Sequence, residues 1–355
     1  MPGPSVARVS VWSSLEEERC LVNRVVVLGS INRDLVLTLD HLPVPGETVT
    51  ASHLVVLSGG KGANQAVAAA AAGGSVAMVG RVGTDAAGPE QVSALAAAGV
   101  DVSFVRKDPR APTGTAVVMV DRAGHNSIAV VPGANGLLDA VSVEQAAPLI
   151  EKARILLLQL EVPDGAVERA VAVARRAGVM TILNIAPYRD LPPDVLRRVG
   201  YLLANETEVA ALLGHGIDSI EDAARAAGEM RGLGPSWGII TLGERGTVAA
   251  GADGWFHEPA GPVDAVLDTT GAGDVFAGVL AVGLVEALPV REAVRLASAA
   301  AAVSVTRHGA RALLPSDAPA IRGQARRPPN EPSGLRPPPA GRPTRRPPDG
   351  RVREP

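Results

Sequence analysis

The chain has 355 residues, enough for one large α/β domain with an appendage or for two or three average domains. Hydrophobic residues make up 46% and charged residues 20%, which excludes a wholly disordered chain and a fibrous repeat. Aromatic residues are only 2% and the formal net charge is −3, so the composition argues against a nucleic-acid binder built on stacked aromatic rings.

The cysteine content and the hydropathy pattern bear on the compartment. The single cysteine, Cys20, cannot form an internal disulfide, and the sequence shows no signal-peptide pattern. No apolar run reaches the roughly 18 residues of a membrane-spanning helix. We therefore expect a soluble, cytoplasmic protein that binds neither a membrane nor nucleic acid.

The two ends of the chain differ from its middle. Residues 1–23 carry no motif and are predicted to be an extension ahead of the fold. Residues 322–355 hold ten Pro and nine Arg against three acidic residues, a charge of +6 that leaves −9 on residues 1–321. This tail is predicted to be disordered because it cannot bury enough apolar surface to offset its ordering entropy. A basic Pro-rich arm could instead bind an acidic partner or a proline-recognising domain.

Between the ends, short β-branched runs alternate with alanine-rich stretches of helical period. Strands are predicted at 24–29, 75–80, 155–160, 181–184, 201–204 and 238–242, and helices at 86–98, 163–177 and 220–233. This alternation predicts an α/β fold with a doubly wound, mostly parallel sheet and helices on both faces.

Two regions depart from that alternation and read as half-buried, hairpin-like strands. They cover about 35–57 and 113–131, and the second turns at 121–124. Because a helix-and-strand unit separates them, they predict a small discontinuous β-sheet that lies over the main sheet as a lid and closes on a ligand.

The most informative motif is the run DTTGAGD at 268–274, followed by an apolar helical stretch. A small-residue turn into a helix leaves unpaired N–H groups that bind phosphate, and the helix dipole favours the negative charge. Asp274 stands at this turn, where a carboxylate can accept the proton of an alcohol that attacks a phosphoryl group. The alternative is an ordinary helix cap.

A second glycine turn, SGGKGANQA at 58–66, also opens into a helix. It is neither a Walker A loop nor a G-x-G-x-x-G fingerprint. It offers close backbone approach together with Lys61 and Asn64, which suit the hydroxyl groups of a small polar ligand. A tight turn with a solvated lysine is the alternative.

Polar side chains follow several predicted strands, at the usual ligand edge of such sheets. They are Asn32 and Asp34, Glu161, Asn205 and Glu208, and the turn 241–246. Glu208 could hold the hydration shell of Mg²⁺ or could simply be a first-turn helix carboxylate. The turn 241–246 could line a nucleotide or be a plain hairpin.

Some chemistries are disfavoured by missing patterns. The six histidines show neither H-x-x-x-H spacing nor a cysteine partner, which argues against a zinc site. No G-x-S-x-G elbow indicates a hydrolase.

Taken in order, five motifs resemble the PfkB carbohydrate kinase family from about residue 24 to 315. They are GSINRD at 29–34, PGETV at 45–49, GGKGANQA at 59–66, N-x-x-E at 205–208 and DTTGAGD at 268–274. The unbroken GGKGANQA run favours the ribose-phosphorylating branch. The resemblance implies a kinase domain over 24–321.

The resemblance implies that the terminal phosphate of Mg-ATP passes to the 5-hydroxyl of D-ribose, giving D-ribose 5-phosphate. Asp274 would be the base, and the amides of Gly271, Ala272 and Gly273 would form the anion hole. The residues implied at the sugar are Asn32, Arg33, Asp34, Gly60, Lys61, Gly62, Ala63, Asn64, Glu161 and Asp274.

The same resemblance implies sites for nucleotide, metal and a partner subunit. Residues implied at ATP and Mg²⁺ are Asn205, Glu208, Thr241, Leu242, Gly243, Glu244, Arg245, Gly246, Gly273, Asp274 and Ser298. A monovalent cation, K⁺, would lie on Asp268 and on the carbonyls of Thr270, Ser304, Arg307 and Gly309. A homodimer through the lid is also implied.

The chain departs from the family pattern in three places. Leu313 stands where a serine usually completes the cation site, and Ser298 where a larger Asn or His is common. The closing helix after residues 307–310 is predicted to be missing and replaced by the Pro/Arg tail, through a frameshift or a truncated ending. The exposed apolar surface would then lower stability or solubility.

Three alternatives remain open on the residues alone. A PfkB kinase could act on deoxyribose, another ketose or pentose, or a nucleoside such as adenosine. A non-catalytic sugar-binding protein could have kept the fold. A nucleotide-dependent dehydrogenase shares the α/β pattern but lacks its glycine fingerprint.

Overall fold

The computed structural model describes residues 24–325. The predicted extension at 1–23 therefore lies outside the described residues, as does the predicted tail from 326 onward. The strands are β1 Arg24–Leu28, β2 Asn32–Thr38, β3 His53–Gly59, β4 Ser75–Gly83, β5 Asp101–Asp108, β6 Gly114–Val120, β7 Asn126–Val131, β8 Ile155–Leu158, β9 Met180–Asn184, β10 Tyr201–Asn205, β11 Trp237–Thr241, β12 Thr247–Gly251 and β13 Gly254–Glu258.

The helices connect these strands and cover both faces of the large sheet. They are α1 Lys61–Ala71, α2 Ala87–Ala97, α3 Ala140–Ile150, α4 Asp164–Ala177, α5 Pro193–Leu196, α6 Glu206–Leu213, α7 Ile220–Gly232, α8 Ala272–Val285, α9 Val290–Ser304 and α10 Ala318–Ala325. Within residues 24–325, no helix is both long enough and apolar enough to cross a bilayer.

The large sheet has nine strands in the order β13-β12-β11-β10-β9-β8-β1-β4-β5. The pairs from β11 to β5 are parallel, and the two remaining pairs, β11–β12 and β12–β13, are antiparallel, so β12 alone runs against the other strands of this sheet. In β1, Val25 to Leu28 are all 0% exposed, as expected for a strand of a parallel sheet that helices cover on both faces. The predicted doubly wound, mostly parallel sheet is confirmed.

Two apolar cores flank this sheet. Helices α1, α8 and α9 contribute to one, and α3, α4 and α7 contribute to the other. The parallel strands β1, β8, β10 and β11 end on one edge, so the loops that follow them converge there.

The second sheet has four strands in the order β3-β2-β6-β7. Strand β2 pairs antiparallel with β3 and parallel with β6, and β7 closes a hairpin with β6. Two hydrogen bonds hold the hairpin turn. The Asp121 amide donates to the His125 carbonyl and the Gly124 amide donates to the Asp121 carbonyl, at 3.0 Å each. The predicted small discontinuous sheet, with its turn at 121–124, is confirmed.

A buried asparagine joins the two sheets. Asn135 accepts the Ile31 amide at 2.9 Å and donates to the Asn32 side-chain oxygen at 2.7 Å. It therefore fixes the point where the chain leaves β1 and enters the lid strand β2.

The C-terminal end of the described chain corrects one prediction. A short closing helix, α10, is present, and Ile321 on it is 2% exposed against the α9 side of the core. Arg322 donates to Glu286 at 2.8 and 2.6 Å and to the Ala72 carbonyl at 3.3 Å. The predictions of a missing closing helix and of disorder starting at residue 322 are wrong, because residues 318–325 fold onto the domain.

We expect Ile321→Ala to lower the free energy of unfolding by about 3 kcal/mol, because it leaves a cavity under α10. Chemical denaturation monitored by circular dichroism measures this change. Leu314→Ala is the control, since Leu314 is 49% exposed and its loss should cost less than about 0.5 kcal/mol. Equal effects of the two substitutions would contradict the docking of α10.

Candidate active site

Two loops at the strand-end edge approach so closely that only glycine fits. Gly60 has a φ of 87°, and a Cβ on it would lie 2.7 Å from the Asn32 amide nitrogen. A Cβ on Gly62 would lie 2.7 Å from the carbonyl carbon of Gly29. The amide of Ala63, in turn, donates to the Ser30 carbonyl at 2.9 Å. These contacts place the start of α1 beside Gly59, the last residue of the lid strand β3, which we call the lid root.

Asp274 lies in the first turn of α8 and is 7% exposed. Its carboxylate accepts Asn64 Nδ2 at 3.1 Å and Gln65 Nε2 at 3.0 Å, both from the start of α1. Burial raises the pKa of Asp274, while Lys61 and the two amide donors oppose that rise. The structure thus holds a buried carboxylate in one orientation, with a raised proton affinity.

Lys61 and Glu161 lie on the same side of the site. Glu161 Oε2 accepts the Lys61 amide at 3.0 Å and the Ser30 hydroxyl at 2.5 Å. Burial by itself would lower the pKa of Lys61, but the nearby carboxylates of Asp274, Glu161 and Glu208 raise it above its usual value. Lys61 is therefore a cation at neutral pH, close to Asp274.

Two of the three predicted sugar residues of β2, Asn32 and Asp34, point to the same face. Asn32 is 3% exposed, and Asp34 lies two residues along the strand. Burial and the neighbouring Glu161 raise the pKa of Asp34 to about 6, although Arg311 opposes the shift. Arg33 lies between them, so its side chain projects from the opposite face of the strand. A contact between Arg33 and the sugar therefore stays a prediction, from the face of β2 opposite to Asn32 and Asp34.

The glycines of the predicted phosphate nest lie at the start of α8. Gly271 has a φ of 76° and is packed so tightly on the 307–311 segment that a Cβ would lie 2.6 Å from Ala310 Cα. Nothing lies within 4 Å of a Cβ placed on Gly273, so this residue borders open space. The Ala272 amide donates to the Thr269 carbonyl at 3.2 Å and would share that bond with a bound anion.

Asn205 and Glu208 form a capping box at the start of α6. Asn205 Oδ1 accepts the Glu208 amide at 2.9 Å, and Glu208 Oε2 accepts the Asn205 amide at 2.8 Å. The helix-cap interpretation of Glu208 is therefore correct, yet Glu208 also lies near Lys61 and Asp274. Burial raises its pKa, and the Asn205 amide and Lys61 only partly oppose this.

The turn 241–246 follows β11 as predicted, but its side chains differ in their exposure and in their partners. Leu242 is 2% exposed in the core, and the Arg245 side chain pairs with Glu206. Gly243 and Glu244 are exposed, Thr241 is half-buried, and Gly246 is buried. On α9, Ser298 is 8% exposed and its hydroxyl has no hydrogen-bond partner among residues 24–325.

The loops of the predicted cation site meet at Asp268. Its carboxylate accepts the Thr270 amide and the Gly309 amide, each at 2.8 Å. Partial burial opposes ionisation, but these donors hold the pKa of Asp268 below its usual value. Ser304 ends α9 beside this loop, and the Arg307 side chain turns away to Asp317. Leu313 is 3% exposed and belongs to the apolar core.

Two residues of the site were not singled out in the sequence. Gln65 is 0% exposed and links Asp274 to Asn184 at 3.3 Å, while Gln159 donates to it at 2.5 Å. Arg311 donates to Asn64 Oδ1 at 3.2 Å and to the Gly59 carbonyl at 3.1 Å. Gln65 stood inside a quoted motif, whereas Arg311 follows a glycine turn and carries no local pattern.

The pKa of Asp34 gives a testable pH dependence. Because the folded pKa of about 6 lies above the usual 3.8, the unfolded chain ionises first, and burying this charge costs stability as pH rises from about 4 to 6. Asp34→Asn should therefore stabilise the ligand-free protein by about 1–3 kcal/mol at pH 7.5, and the gain should vanish near pH 4.

Urea unfolding of both proteins across pH 4 to 7.5 measures this difference. Asp40→Asn is the control, since the Asp40 side chain is 62% exposed and no gain is expected there. A gain for Asp34→Asn that is the same at every pH would contradict the assignment of the effect to ionisation.

Comparisons with known proteins agree with this geometry. The family model described as pfkB family carbohydrate kinase matches residues 22–317. A ribokinase of Haemophilus influenzae is 37% identical over 292 residues, which is 82% of this chain and 95% of that protein. A deoxyribokinase of Salmonella typhi is 35% identical over 293 residues, with the same two coverages.

Solved structures give the same result for the fold. The structure of Arabidopsis thaliana ribokinase complexed with ribose and ATP has a TM-score of 0.80 at 33% identity, covering 85% of this chain and 98% of that chain. The ribokinase of Thermotoga maritima has a TM-score of 0.76 at 33% identity, with coverages of 84% and 98%. Together with the family match over residues 22–317, these likenesses establish that the chain belongs to the pfkB family of carbohydrate kinases.

Proposed function

We propose that this protein transfers the terminal phosphate of ATP to the 5-hydroxyl of D-ribose, giving D-ribose 5-phosphate. The observation that carries the proposal is the buried Asp274 carboxylate, held by Asn64 and Gln65 beside a glycine nest at the start of α8. Relatives named ribokinase support the choice of sugar, as does a similar structure complexed with ribose and ATP.

Asp274 is the base of the proposed reaction. Its two amide donors leave the carboxylate in a fixed orientation, and burial raises its proton affinity above that of a solvated aspartate. A buried carboxylate with a raised proton affinity suits removal of the proton from an attacking hydroxyl.

The sugar hydroxyls are recognised by polar groups that converge from the lid and the strand-end loops. Asn32 and Asp34 come from the lid strand β2, and Lys61 and Asn64 from the start of α1. Glu161, which follows β8, accepts two protein hydrogen bonds that fix its carboxylate. Carboxylates and amides at fixed positions can bind a polyol specifically, because each hydroxyl group can both donate and accept a hydrogen bond. Gly60, Gly62 and Ala63 allow the backbone approach that this arrangement needs.

The phosphates are placed at the start of α8. The amides of Gly271, Ala272 and Gly273 and the helix dipole favour an anion there, and Lys61 supplies a mobile positive charge nearby. The strand-end turn 241–246 and the unpaired hydroxyl of Ser298 are the proposed nucleotide contacts. Stabilisation of the transferring phosphoryl group is then chiefly electrostatic.

The donor set beside the nest fits Mg²⁺. Asn205 and Glu208 offer oxygens next to Lys61 and Asp274, and Mg²⁺ prefers few carboxylates and several retained waters. When bound with ATP, Mg²⁺ would neutralise phosphate charge. Glu208 keeps its capping bond through one carboxylate oxygen, which leaves the other free for a metal-bound water.

The residues around Asp268 fit a monovalent cation such as K⁺. The Asp268 carboxylate lies where two loops meet, the carbonyls of Thr270, Arg307 and Gly309 belong to these loops, and Ser304 ends α9 beside them. Leu313 adds no ligand because it is buried in the core. The proposed role of the cation is to hold the 307–311 segment against Gly271 and so to shape the nest.

The lid sheet is the proposed interface of a homodimer. Both faces of its outer strands are apolar and exposed, with Leu54 and Val56 on one face and Val55 and Leu57 on the other. Ile128 and Val130 on the opposite edge strand are 58% and 49% exposed. A second copy of the chain offers the same apolar sheet, so each lid can cover the other. The cytoplasmic location stays a prediction.

A coupled ADP-release assay tests the function. With ATP, Mg²⁺ and K⁺ present, we expect turnover to be fastest with ribose and much slower with fructose or adenosine. Deoxyribose is included because a deoxyribokinase is 35% identical to this chain. Fastest turnover with deoxyribose would make deoxyribose the proposed substrate in place of ribose. If none of the four acceptors supported ATP turnover, the kinase proposal would be contradicted.

Asp274→Asn is the matched variant for that assay. It keeps the size of the side chain but cannot accept the proton, so kcat should fall by about 10³-fold while the dissociation constant for sugar, measured by calorimetry, changes little. A variant with near wild-type kcat would overturn the base assignment.

The dimer is tested by light scattering after gel filtration. We expect the mass of two chains for the wild type, and a single chain when lysine is placed on one face of the edge strand by Leu54→Lys or Val56→Lys. Val141→Lys is the control, because Val141 is 64% exposed on α3 and outside the lid. A wild-type protein that stays monomeric at micromolar concentration would contradict the proposal.

A further inference from the structure

Among the described residues, the site contains more acidic than basic side chains. Asp34, Glu161, Glu208 and Asp274 influence one another electrostatically, and the cations that oppose them are Lys61 and Arg311. The role of Lys61 follows from its motif. Arg311 has no assigned role, although it is half-buried and close to both Asp34 and Asp274.

Arg311 makes two hydrogen bonds that diverge from one guanidinium. Its Nε donates to Asn64 Oδ1 at 3.2 Å, and its Nη2 donates to the Gly59 carbonyl at 3.1 Å. Gly59 is the last residue of the lid strand β3, and Asn64 lies in the first turn of α1. One side chain therefore joins the root of the lid to the helix that holds the base.

The bond to Asn64 decides which way the asparagine amide faces. An amide has an oxygen that only accepts and a nitrogen that only donates. With Oδ1 held by Arg311, Nδ2 faces Asp274 Oδ2 at 3.1 Å. A flipped amide would place its nitrogen against the guanidinium and its oxygen against the carboxylate, and both contacts are repulsive.

The backbone on which Arg311 stands is itself anchored. Two residues earlier, the Gly309 amide donates to Asp268 at 2.8 Å, and Ala310 is packed against Gly271 of the nest. Arg307 holds the other end of this segment through Asp317 at 2.9 Å. The guanidinium is therefore delivered to Asn64 from a segment that also shapes the anion nest.

We propose that Arg311 is a positioning residue that orients Asn64 toward Asp274 and ties the lid root at Gly59 to the 307–311 segment. This inference rests on the proposed function, because it assigns Arg311 a part in sugar binding and in alignment of the base. It acts through Asn64 and does not itself touch the reacting atoms.

The test is a double-mutant cycle of Arg311→Met and Asn64→Ala, with sugar phosphorylation and MgADP affinity as readouts. Arg311→Met alone should lower kcat/KM for the sugar at least tenfold and leave MgADP affinity within about twofold. In the Asn64→Ala background, the same substitution should cost less than threefold. Equal losses in both backgrounds, or a loss under twofold in the wild type, would overturn the proposal.

Two further variants, Arg311→Lys and Arg225→Met, test whether the loss of kcat/KM is specific to the guanidinium at residue 311. Lysine keeps the charge but cannot form the two divergent bonds, so an intermediate loss is expected. Arg225 has a similarly limited exposure, 25%, in an ion pair on α7, and its substitution should leave kcat/KM unchanged. Thermal unfolding of each variant separates loss of alignment from loss of fold.

The pH profile gives a readout that a purely structural arginine would not move. Asp34 is faced by Glu161 and Asp274, which favour its protonation, and by Arg311, which favours its ionisation. Arg311→Met should shift the acid limb of kcat/KM to higher pH, whereas Arg311→Lys should shift it less. An unmoved acid limb in Arg311→Met would count against the proposal.

Failure of the proposed function is distinguishable from failure of this inference. Wild-type protein that phosphorylates no sugar would refute the function alone. The Asn64 side-chain amide resonances would then still report on Arg311, because hydrogen exchange at Nδ2 should be slow in the wild type and at least tenfold faster in Arg311→Met. Unchanged exchange would overturn the proposal without any activity measurement.

Discussion

The arrangement of the site follows from the burial of one negative charge. A carboxylate as enclosed as Asp274 is costly unless donors and positive charge surround it. The structure supplies the amides of Asn64 and Gln65, the ammonium of Lys61 and the start of α8. The three side chains all come from α1, so the packing of α1 against α8 is the central requirement.

Glycine makes that packing possible. A Cβ on Gly278 of α8 would lie 2.4 Å from the Gln65 carbonyl, so the two helices touch backbone to backbone. This close contact carries Asn64 and Gln65 to within hydrogen-bond distance of a residue that is 210 and 209 positions away in the sequence. A methyl group at residue 278 would separate the helices and leave the buried carboxylate without its donors.

The parts of the fold that the sequence predicted are those with an unbroken local pattern. Strand β1 is apolar along its length because it is covered on both faces, whereas the edge strand β5 mixes exposed and half-buried residues and was not predicted. Helix α10 was missed because Ala318–Ala325 is short and Ile321 is its single buried side chain.

The same logic divides the candidate site. Glycine turns mark the motifs that carry Asp274, Lys61 and Asn64, and the structure brings these three residues together. The motifs did not show that Arg33 lies on the face of β2 opposite to Asn32 and Asp34, which follows from strand alternation. Arg311 could not be found at all, because its two bonds reach residues 247 and 252 positions away.

The charge balance of the pocket explains why these features occur together. Burial, together with the neighbouring Glu161 and Asp274, raises the pKa of Asp34 in the ligand-free protein, so ionisation of this carboxyl carries electrostatic strain. Under the proposed function, bound sugar hydroxyls and hydrated cations would relieve that strain. Lys61 and Arg311 limit that strain from opposite sides, one at the start of α1 and the other on the 307–311 segment. Because Arg311 also bonds to the lid root at Gly59, the cation that balances the pocket is attached to the small second sheet.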